Sequence, residues 1–339
     1  MKILVALSGG VDSSVTAKLL KDAGHEIVGC YMVLHENPNY HEENIKKVRA
    51  VGEFLGIDVQ ISDLQEKFAN SVYTPFIEAY RDGKTPNPCA VCNRFIKFGA
   101  LAEIAKSLNC DKMATGHYAR IENGLIKAAR DDGKDQSYFL ANIDREILNF
   151  VIFPLGEMLK SEVKNYASKF SELEKIAAGR ESSEICFVDT TYIDILNRHF
   201  KTDLKGNVKN KFGEIVGSHD GYMHYTIGKR RGFSVHGAHE PHYVTKIDAK
   251  NNEIYVGTKN ELETTKFSTL NANLFLDLPS NFEAQVKIRY RSPKIAAKVK
   301  FDGEKFDAVL SRPAYGVASG QLAVFYDDFE RVIASGFIQ

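Results

Sequence analysis

The stretch Lys2-Ile-Leu-Val-Ala-Leu-Ser-Gly-Gly-Val-Asp-Ser-Ser14 decides the fold. Its first six residues form a short apolar run, the pattern of a strand buried on both faces of a parallel sheet. After the glycines, Val15, Leu19 and Leu20 recur at helical spacing, with Ala17 and Ala23 beside them. Strand, glycine-hydroxyl loop and helix together gather backbone N–H groups, serine hydroxyls and a positive helix end around one anion. Gly9 and Gly10 allow close approach and backbone angles that other residues resist. A simpler reading makes Asp12 or Ser13 the N-cap of an ordinary helix after a serine-rich turn. The loop lacks the Gly-Lys-Ser/Thr ending of a Walker-type phosphate loop.

The alternation continues along the chain. Ile27–Tyr31 reads as a second strand and Val59–Asp63 as a third. Between them, Ile45, Val48, Val51, Phe54 and Leu55 give Glu42–Leu55 one apolar helical face. Phe68–Arg81 predicts a helix bent near Pro75, and Ile96–Leu108 another. Lys112–Thr115 supplies a further strand, ending at Gly116-His117-Tyr118. This order predicts an α/β, doubly wound parallel sheet with its ligand outside the carboxyl ends of the strands. Ser8–Ser14, the segment after Tyr31 and Gly116-His117 then share one edge. Beyond about residue 200, glycines punctuate short alternating runs. Gln285–Tyr290, Ala296–Phe301, Asp307–Leu310, Gln321–Tyr326 and Val332–Ser335 predict a small antiparallel barrel or sandwich. The expected division is 1–197 for the nucleotide domain, 198–258 for a small central domain and 259–339 for the C-terminal barrel.

The 339 residues suit two or three domains. Lys and Arg balance Asp and Glu at 44 each, but unevenly along the chain. Residues 1–197 carry 23 basic against 28 acidic side chains, and residues 198–258 carry 10 against 6. A basic middle is compatible with a polyanion lying along the second half. No run of about 18 apolar residues suggests a membrane span, and the N-terminus reads as a strand rather than a signal peptide. The expected location is the cytoplasm. Five cysteines are too few for a disulfide scaffold in a chain of this size.

Cys89 and Cys92 lie in Thr85-Pro-Asn-Pro-Cys-Ala-Val-Cys-Asn93, where two prolines fix an extended approach to a helix. A cysteine near a helix N-terminus has its thiolate favoured. The pair is open to three readings: half of a zinc site without a second pair, a dithiol redox site, or a partner for a distant cysteine. Cys186 sits in Glu181-Ser-Ser-Glu-Ile-Cys-Phe-Val188, where flanking Ile185 and Phe187 suit a core cysteine in a short strand. Cys30 and Cys110 read as core residues.

The loop Ser8–Ser14 resembles the pyrophosphatase-type loop of enzymes that split ATP into AMP and pyrophosphate. With T-P-N-P-x-x-x-C-N, K-F-G, A-T-G-H-Y-A-R, K-D-Q-S-Y-F-L, F-P-L-G and S-x-x-I-C-F in order behind it, the chain resembles the bacterial tRNA-specific 2-thiouridylases from residue 3 to about 325. The resemblance implies an adenine nucleotide alpha hydrolase-like domain, then a small central domain and a C-terminal β-barrel. It implies ATP binding by Ala6, Leu7, Ser8, Gly9, Gly10, Val11, Asp12 and Ser13, with Met32 and Gly116, and Mg²⁺ on the phosphates. Cys92 matches the nucleophile, and Cys186 the cysteine that carries a persulfide sulfur. Asn87, Pro88 and Cys89 match contacts to the target base. Lys134, Asp135, Gln136, Arg289 and Tyr290 match tRNA-contacting segments, and His117 and Gln321 further sites of tRNA interaction.

The implied substrate is uridine 34 in the anticodon stem-loop of tRNAs for Lys, Glu and Gln. The sulfur would come from an upstream persulfide carrier or cysteine desulfurase, and the enzyme would act as a monomer. Many members carry Asp where this chain has Cys89. That replacement raises an alternative, a [4Fe–4S] cluster on Cys89, Cys92 and Cys186. Tyr118, Arg120 and Asn93 are available near the motif loops to read the base. Lys229-Arg230-Arg231 and Arg289-Tyr290-Arg291 suit phosphate contacts. The segment Lys160–Glu184 is expected to form a lid.

Overall fold

A computed structural model describes residues 1–179, 185–188, 190–237 and 239–339. Glu181–Glu184, at the start of the Cys186 segment and the end of the expected lid, lies outside the described residues. The chain divides into two compact units. Met1–Val72, Cys89–Ser183 and Tyr326–Ile333 make the first; Tyr73–Pro88, Glu184–Phe325 and Ala334–Gln339 make the second.

The first unit is built on strands β1 (Lys2–Ala6), β2 (Glu26–Val33), β3 (Asp58–Asp63), β4 (Lys112–Ala114) and β5 (Val151–Ile152), ordered β3-β2-β1-β4-β5. All four pairings are parallel. β1 is central and its Ile3, Leu4 and Val5 are fully buried, as its uninterrupted apolar run requires. Helix α1 (Val11–Asp22) follows β1, and α2 (Pro38–Leu55) follows β2. Val48, Val51 and Leu55 of α2 are buried with Val15 and Leu20 of α1 in one cluster. Each such side chain contributes about 1.5–3 kcal/mol.

Helix α2 begins four residues earlier than its apolar periodicity indicated. Asn37 caps it, its Oδ1 accepting from the Tyr40 N–H at 3.2 Å, and Pro38 opens the first turn. That turn is polar, so it left no hydrophobic signal. The bend expected near Pro75 is a π-helical segment, Ala69–Tyr73, between the α-helices Gln65–Phe68 and Thr74–Arg81. The loops after β1, β2 and β4 share the carboxyl edge of neighbouring parallel strands, as the doubly wound order demands.

In the second unit, five strands form a sheet: β6 (Gly206–Lys209), β7 (Ile215–His219), β8 (Phe233–Val235), β9 (Tyr243–Asp248) and β10 (Glu253–Gly257), in the order β8-β7-β6-β10-β9. A closed six-stranded barrel follows: β11 (Glu263–Leu274), β12 (Asn281–Lys287), β13 (Ile295–Phe301), β14 (Phe306–Tyr315), β15 (Leu322–Tyr326) and β16 (Val332–Ile338). Inward residues alternate along β13, where Ile295, Ala297 and Val299 are buried between exposed Ala296, Lys298 and Lys300. Tyr80 of the Tyr73–Pro88 segment stacks on Tyr192, with ring centroids 4.5 Å apart. No described helix is long and apolar enough to cross a membrane.

Candidate active site

The loop between β1 and α1 is tied into a ring by its own hydroxyls. Ser8 N donates to Ser13 Oγ at 3.1 Å, and Gly10 N donates to Ser8 Oγ at 3.3 Å. Ser13 Oγ and Ser14 Oγ both donate to Gly10 O at 3.0 Å. Gly9 takes a φ of +81°, and a Cβ there would lie 3.0 Å from Asn44 Oδ1. The N-cap of α1 is Gly10, with no capping side chain, rather than Asp12 or Ser13. The first-turn N–H groups are therefore left for an anion, with the helix dipole behind them.

Gly116 follows β4 and is pressed against this loop. A Cβ on it would come within 2.9 Å of both Asp12 C and Ser13 N. Two residues on, the buried Tyr118 donates its hydroxyl to Asp12 Oδ1 at 2.8 Å. Lys160, first residue of the helix Lys160–Ala167, holds the same carboxylate from its Nζ at 2.7 and 2.8 Å. Asp12 is thus a carboxylate in the first turn of α1 neutralised by one cation that spans 148 residues of sequence. Sequence reading singled out Asp12 but not Lys160, because one lysine at a helix start carries no signal of its own. Met32 lies near the end of β2, on the same sheet edge.

Cys89 is half-buried and Cys92 buried in α3 (Pro88–Cys92). The helix continues as a π-helix over Asn93–Ala100. A Cβ on Gly99 would lie 2.9 Å from Arg94 O, so this wide turn needs a glycine there. Asn93 Nδ2 donates to Phe139 O at 2.9 Å, and Arg94 Nη1 to Asn142 O at 3.0 Å. Arg120 Nε donates to Ala128 O at 2.6 Å. Asn93, Tyr118 and Arg120, expected near the base, therefore spend these groups on scaffolding. Burial pushes the thiols of Cys30 and Cys110 up, which suits inert core cysteines.

His117 is buried between the rings of Phe98 and Phe153, at 5.7 and 6.2 Å. Its Nδ1 pairs with Thr115 Oγ1 at 2.7 Å and its Nε2 with Lys97 Nζ at 3.4 Å. Burial, and secondarily the Lys97 charge, hold its pKa well below the usual imidazole value, so the ring is neutral.

Of the Lys134–Gln136 segment, two side chains turn inward. Gln136 Oε1 accepts from Tyr118 N at 2.9 Å. Buried Asp135 accepts from Ala129 N and Ser137 N at 3.0 Å and from Ser137 Oγ at 2.8 Å. Asp135→Ala would strand those donors, and a loss of about 3 kcal/mol in unfolding free energy is expected. Chemical denaturation measures it; a loss under 1 kcal/mol would contradict this bonding role.

In the second unit, Gln321 Nε2 donates to Thr85 O at 2.9 Å and Pro86 O at 3.0 Å, clamping the chain just before buried Asn87 and Pro88. Arg289 Nη2 donates to Ile227 O at 3.0 Å, and Tyr290 lies 5.7 Å from the Lys287 ammonium. Arg230 and Arg231 are exposed. Cys186 is exposed on a turn closed by Val188 N donating to Ile185 O at 2.9 Å. The core-strand reading of Cys186 is thereby corrected: its neighbour Phe187 is the buried anchor, against Tyr73 and Phe76 at 5.7 and 5.2 Å. Among the described residues, no group of three or more His, Cys, Asp or Glu side chains is arranged to hold a metal ion. The iron–sulfur alternative finds no such group among the described residues.

Three family models match the chain. A tRNA methyl transferase HUP domain matches residues 1–190, a tRNA methyl transferase PRC-barrel domain 193–258, and an aminomethyltransferase beta-barrel domain 264–338. The tRNA-specific 2-thiouridylase MnmA of Campylobacter lari is 61% identical over 339 residues, covering all of both chains. That of Campylobacter fetus subsp. fetus is also 61% identical, and that of Campylobacter jejuni 59%, again over the full length of both. With its pyrophosphatase-type loop, its Cys92 helix and full-length identity of this order, the chain belongs to the tRNA-specific 2-thiouridylase family.

Proposed function

We propose that this protein is an ATP-dependent tRNA sulfurtransferase that converts uridine 34 of the Lys, Glu and Gln tRNAs to 2-thiouridine, acting as a cytoplasmic monomer. The observation that carries the reading is the Ser8–Ser14 ring, with its uncapped helix end and the Asp12–Lys160 pair. The uracil O2 attacks the α-phosphorus of ATP, the bond to pyrophosphate breaks, and the N3 proton passes to water. The loop holds the departing pyrophosphate through N–H groups and hydroxyls. Magnesium is bound by one or two carboxylates together with substrate phosphates, and Asp12 is the carboxylate suited to it. Lys160 is then free to pair with a phosphate oxygen instead.

Adenylation makes O2 a leaving group. The terminal sulfur of a Cys186 persulfide, loaded by an upstream persulfide donor, adds to C2 and AMP departs with O2. Cys92 thiolate attacks Cys186 Sγ, releasing the sulfur on C2 and leaving a Cys92–Cys186 disulfide. An external dithiol reduces that disulfide for the next turnover. The target base must leave the anticodon stack to react, with Asn87, Pro88 and Cys89 contacting it. Lys134, Asp135, Gln136, His117, Arg289, Tyr290 and Gln321 shape the tRNA-binding surface, directly or by holding neighbouring backbone. Incubation with ATP, a persulfide donor, dithiol and bulk tRNA should yield 2-thiouridine and AMP in equal amounts. AMP without 2-thiouridine, or neither product, would refute the reading.

A further inference from the structure

Lys97 is a half-buried cation in the π-helical segment. Among the described residues no carboxylate pairs with it, and its polar partner is Nε2 of His117. That imidazole is neutral and accepts from the ammonium, so its Nδ1–H donates to Thr115 Oγ1. Thr115 is 2% exposed and His117 8%, with Phe98 and Phe153 fixing the ring. A rigid relay of buried Thr115 and His117 thus holds an ammonium that no carboxylate among the described residues neutralises. Such an arrangement is stable when a ligand supplies the anion.

The position says which anion. His117 follows Gly116, the residue pressed against Asp12 and Ser13 of the nucleotide loop. On its own segment, Lys97 stands five residues after Cys92, in the π-helical continuation of the cysteine helix. Through His117 the ammonium is tied to the segment pressed against the nucleotide loop, and through its own backbone it continues the helix that carries Cys92. In the proposed reaction the group between those two is the transferring α-phosphoryl.

We infer that Lys97 is a catalytic residue that binds a non-bridging oxygen of the α-phosphoryl group as it passes from pyrophosphate to uracil O2, with His117 as its positioning residue. This rests on the proposed function. The balance of the step is unchanged: the O2–P bond forms, the P–O bond to pyrophosphate breaks, and Lys97 keeps its proton throughout. His117 positions Lys97, with both its ring nitrogens engaged.

Full-length wild type, Lys97→Met, Lys97→Arg and His117→Phe should be compared in single-turnover AMP formation on tRNA. ATP and tRNA affinities are measured alongside. Lys97→Met should slow AMP formation about 100- to 1,000-fold, the range for losing one preorganised donor, with both affinities within about threefold. Lys97→Arg should recover at least about tenfold of that loss, and His117→Phe should fall between Lys97→Met and wild type. The diagnostic readout uses the Rp and Sp isomers of ATPαS. Wild type should discriminate between them, and Lys97→Met should lose much of that discrimination, which a merely structural lysine would not affect. Should Lys97→Met fail to fold, Lys97→Gln reads the same quantities. AMP formation within about threefold of wild type in the charge-removed variant overturns the inference. So does a defect confined to tRNA affinity, which would make Lys97 a contact to the nucleic-acid backbone. Wild type that forms no AMP on tRNA sinks the proposed function itself, a result separable from an unaffected Lys97 variant.

Discussion

Cys92→Ser and Cys186→Ser should each reduce 2-thiouridine on purified tRNA to background, whereas Cys30→Ser should stay within about twofold of wild type. A hydroxyl forms neither a persulfide nor a disulfide, so no partial route through serine exists. The buried Cys92 and the exposed Cys186 are expected to fail at different points. Cys186→Ser cannot be loaded with sulfur, and Cys92→Ser should accept sulfur yet not release it to the base. Both should still release pyrophosphate in the first turnover, because adenylation uses neither thiol. Cys30 is the control because it is fully buried in β2, and its sulfur lies 3.4 Å from Ser62 Oγ, a partner for the new hydroxyl. Quantifying 2-thiouridine by mass spectrometry decides the matter. Full thiolation by either of the first two variants removes the sulfur relay while leaving ATP cleavage intact.

Gly116→Ala should weaken ATP binding by about 100-fold, close to 3 kcal/mol. The new methyl would sit 2.9 Å from Asp12 C and Ser13 N, backbone atoms that cannot swing aside. Overpacking of this kind costs about 1–3 kcal/mol, and here the cost falls on the α1 turn proposed to bind phosphate. Gly24→Ala makes the contrast. Gly24 has a φ of +81° and open space around its Cβ position, so alanine there should cost about 1 kcal/mol of stability and leave ATP affinity unchanged. Equilibrium titration with ATP separates the two. Equal affinities in Gly116→Ala and wild type would show that the β4 edge does not shape the nucleotide loop.

Both predictions begin from residues that the sequence alone brought forward, although they rest on different evidence. The apolar run Lys2–Leu7 reads as a buried strand, and two glycines among four hydroxyl or carboxylate residues suit an anion-binding turn after it. The strands of the barrel were legible from period-two alternation, within a few residues of Asn281–Lys287 and Ile295–Phe301. Less legible was β11, a twelve-residue strand whose register shifts between Thr264 and Lys266 interrupt the alternation. The π-helical turns at Ala69–Tyr73 and Asn93–Ala100 left no periodic mark, because they shift the phase of the apolar face within a single segment.

Local pattern therefore determined the parallel sheet, the glycine-hydroxyl loop and the barrel, whereas the roles expected of Cys92 and Cys186 came from the family resemblance. Those features depend on neighbours a few residues away, where periodicity and backbone sterics act. Only the tertiary structure decided that Lys160 holds Asp12, that His117 faces Lys97 rather than solvent, and that Asp135 binds backbone N–H groups. It also turned Cys186 outward on the anchor of Phe187. Each of these is a pairing set by burial: a polar group removed from water must take whatever partner the packing brings, however far along the chain that partner lies.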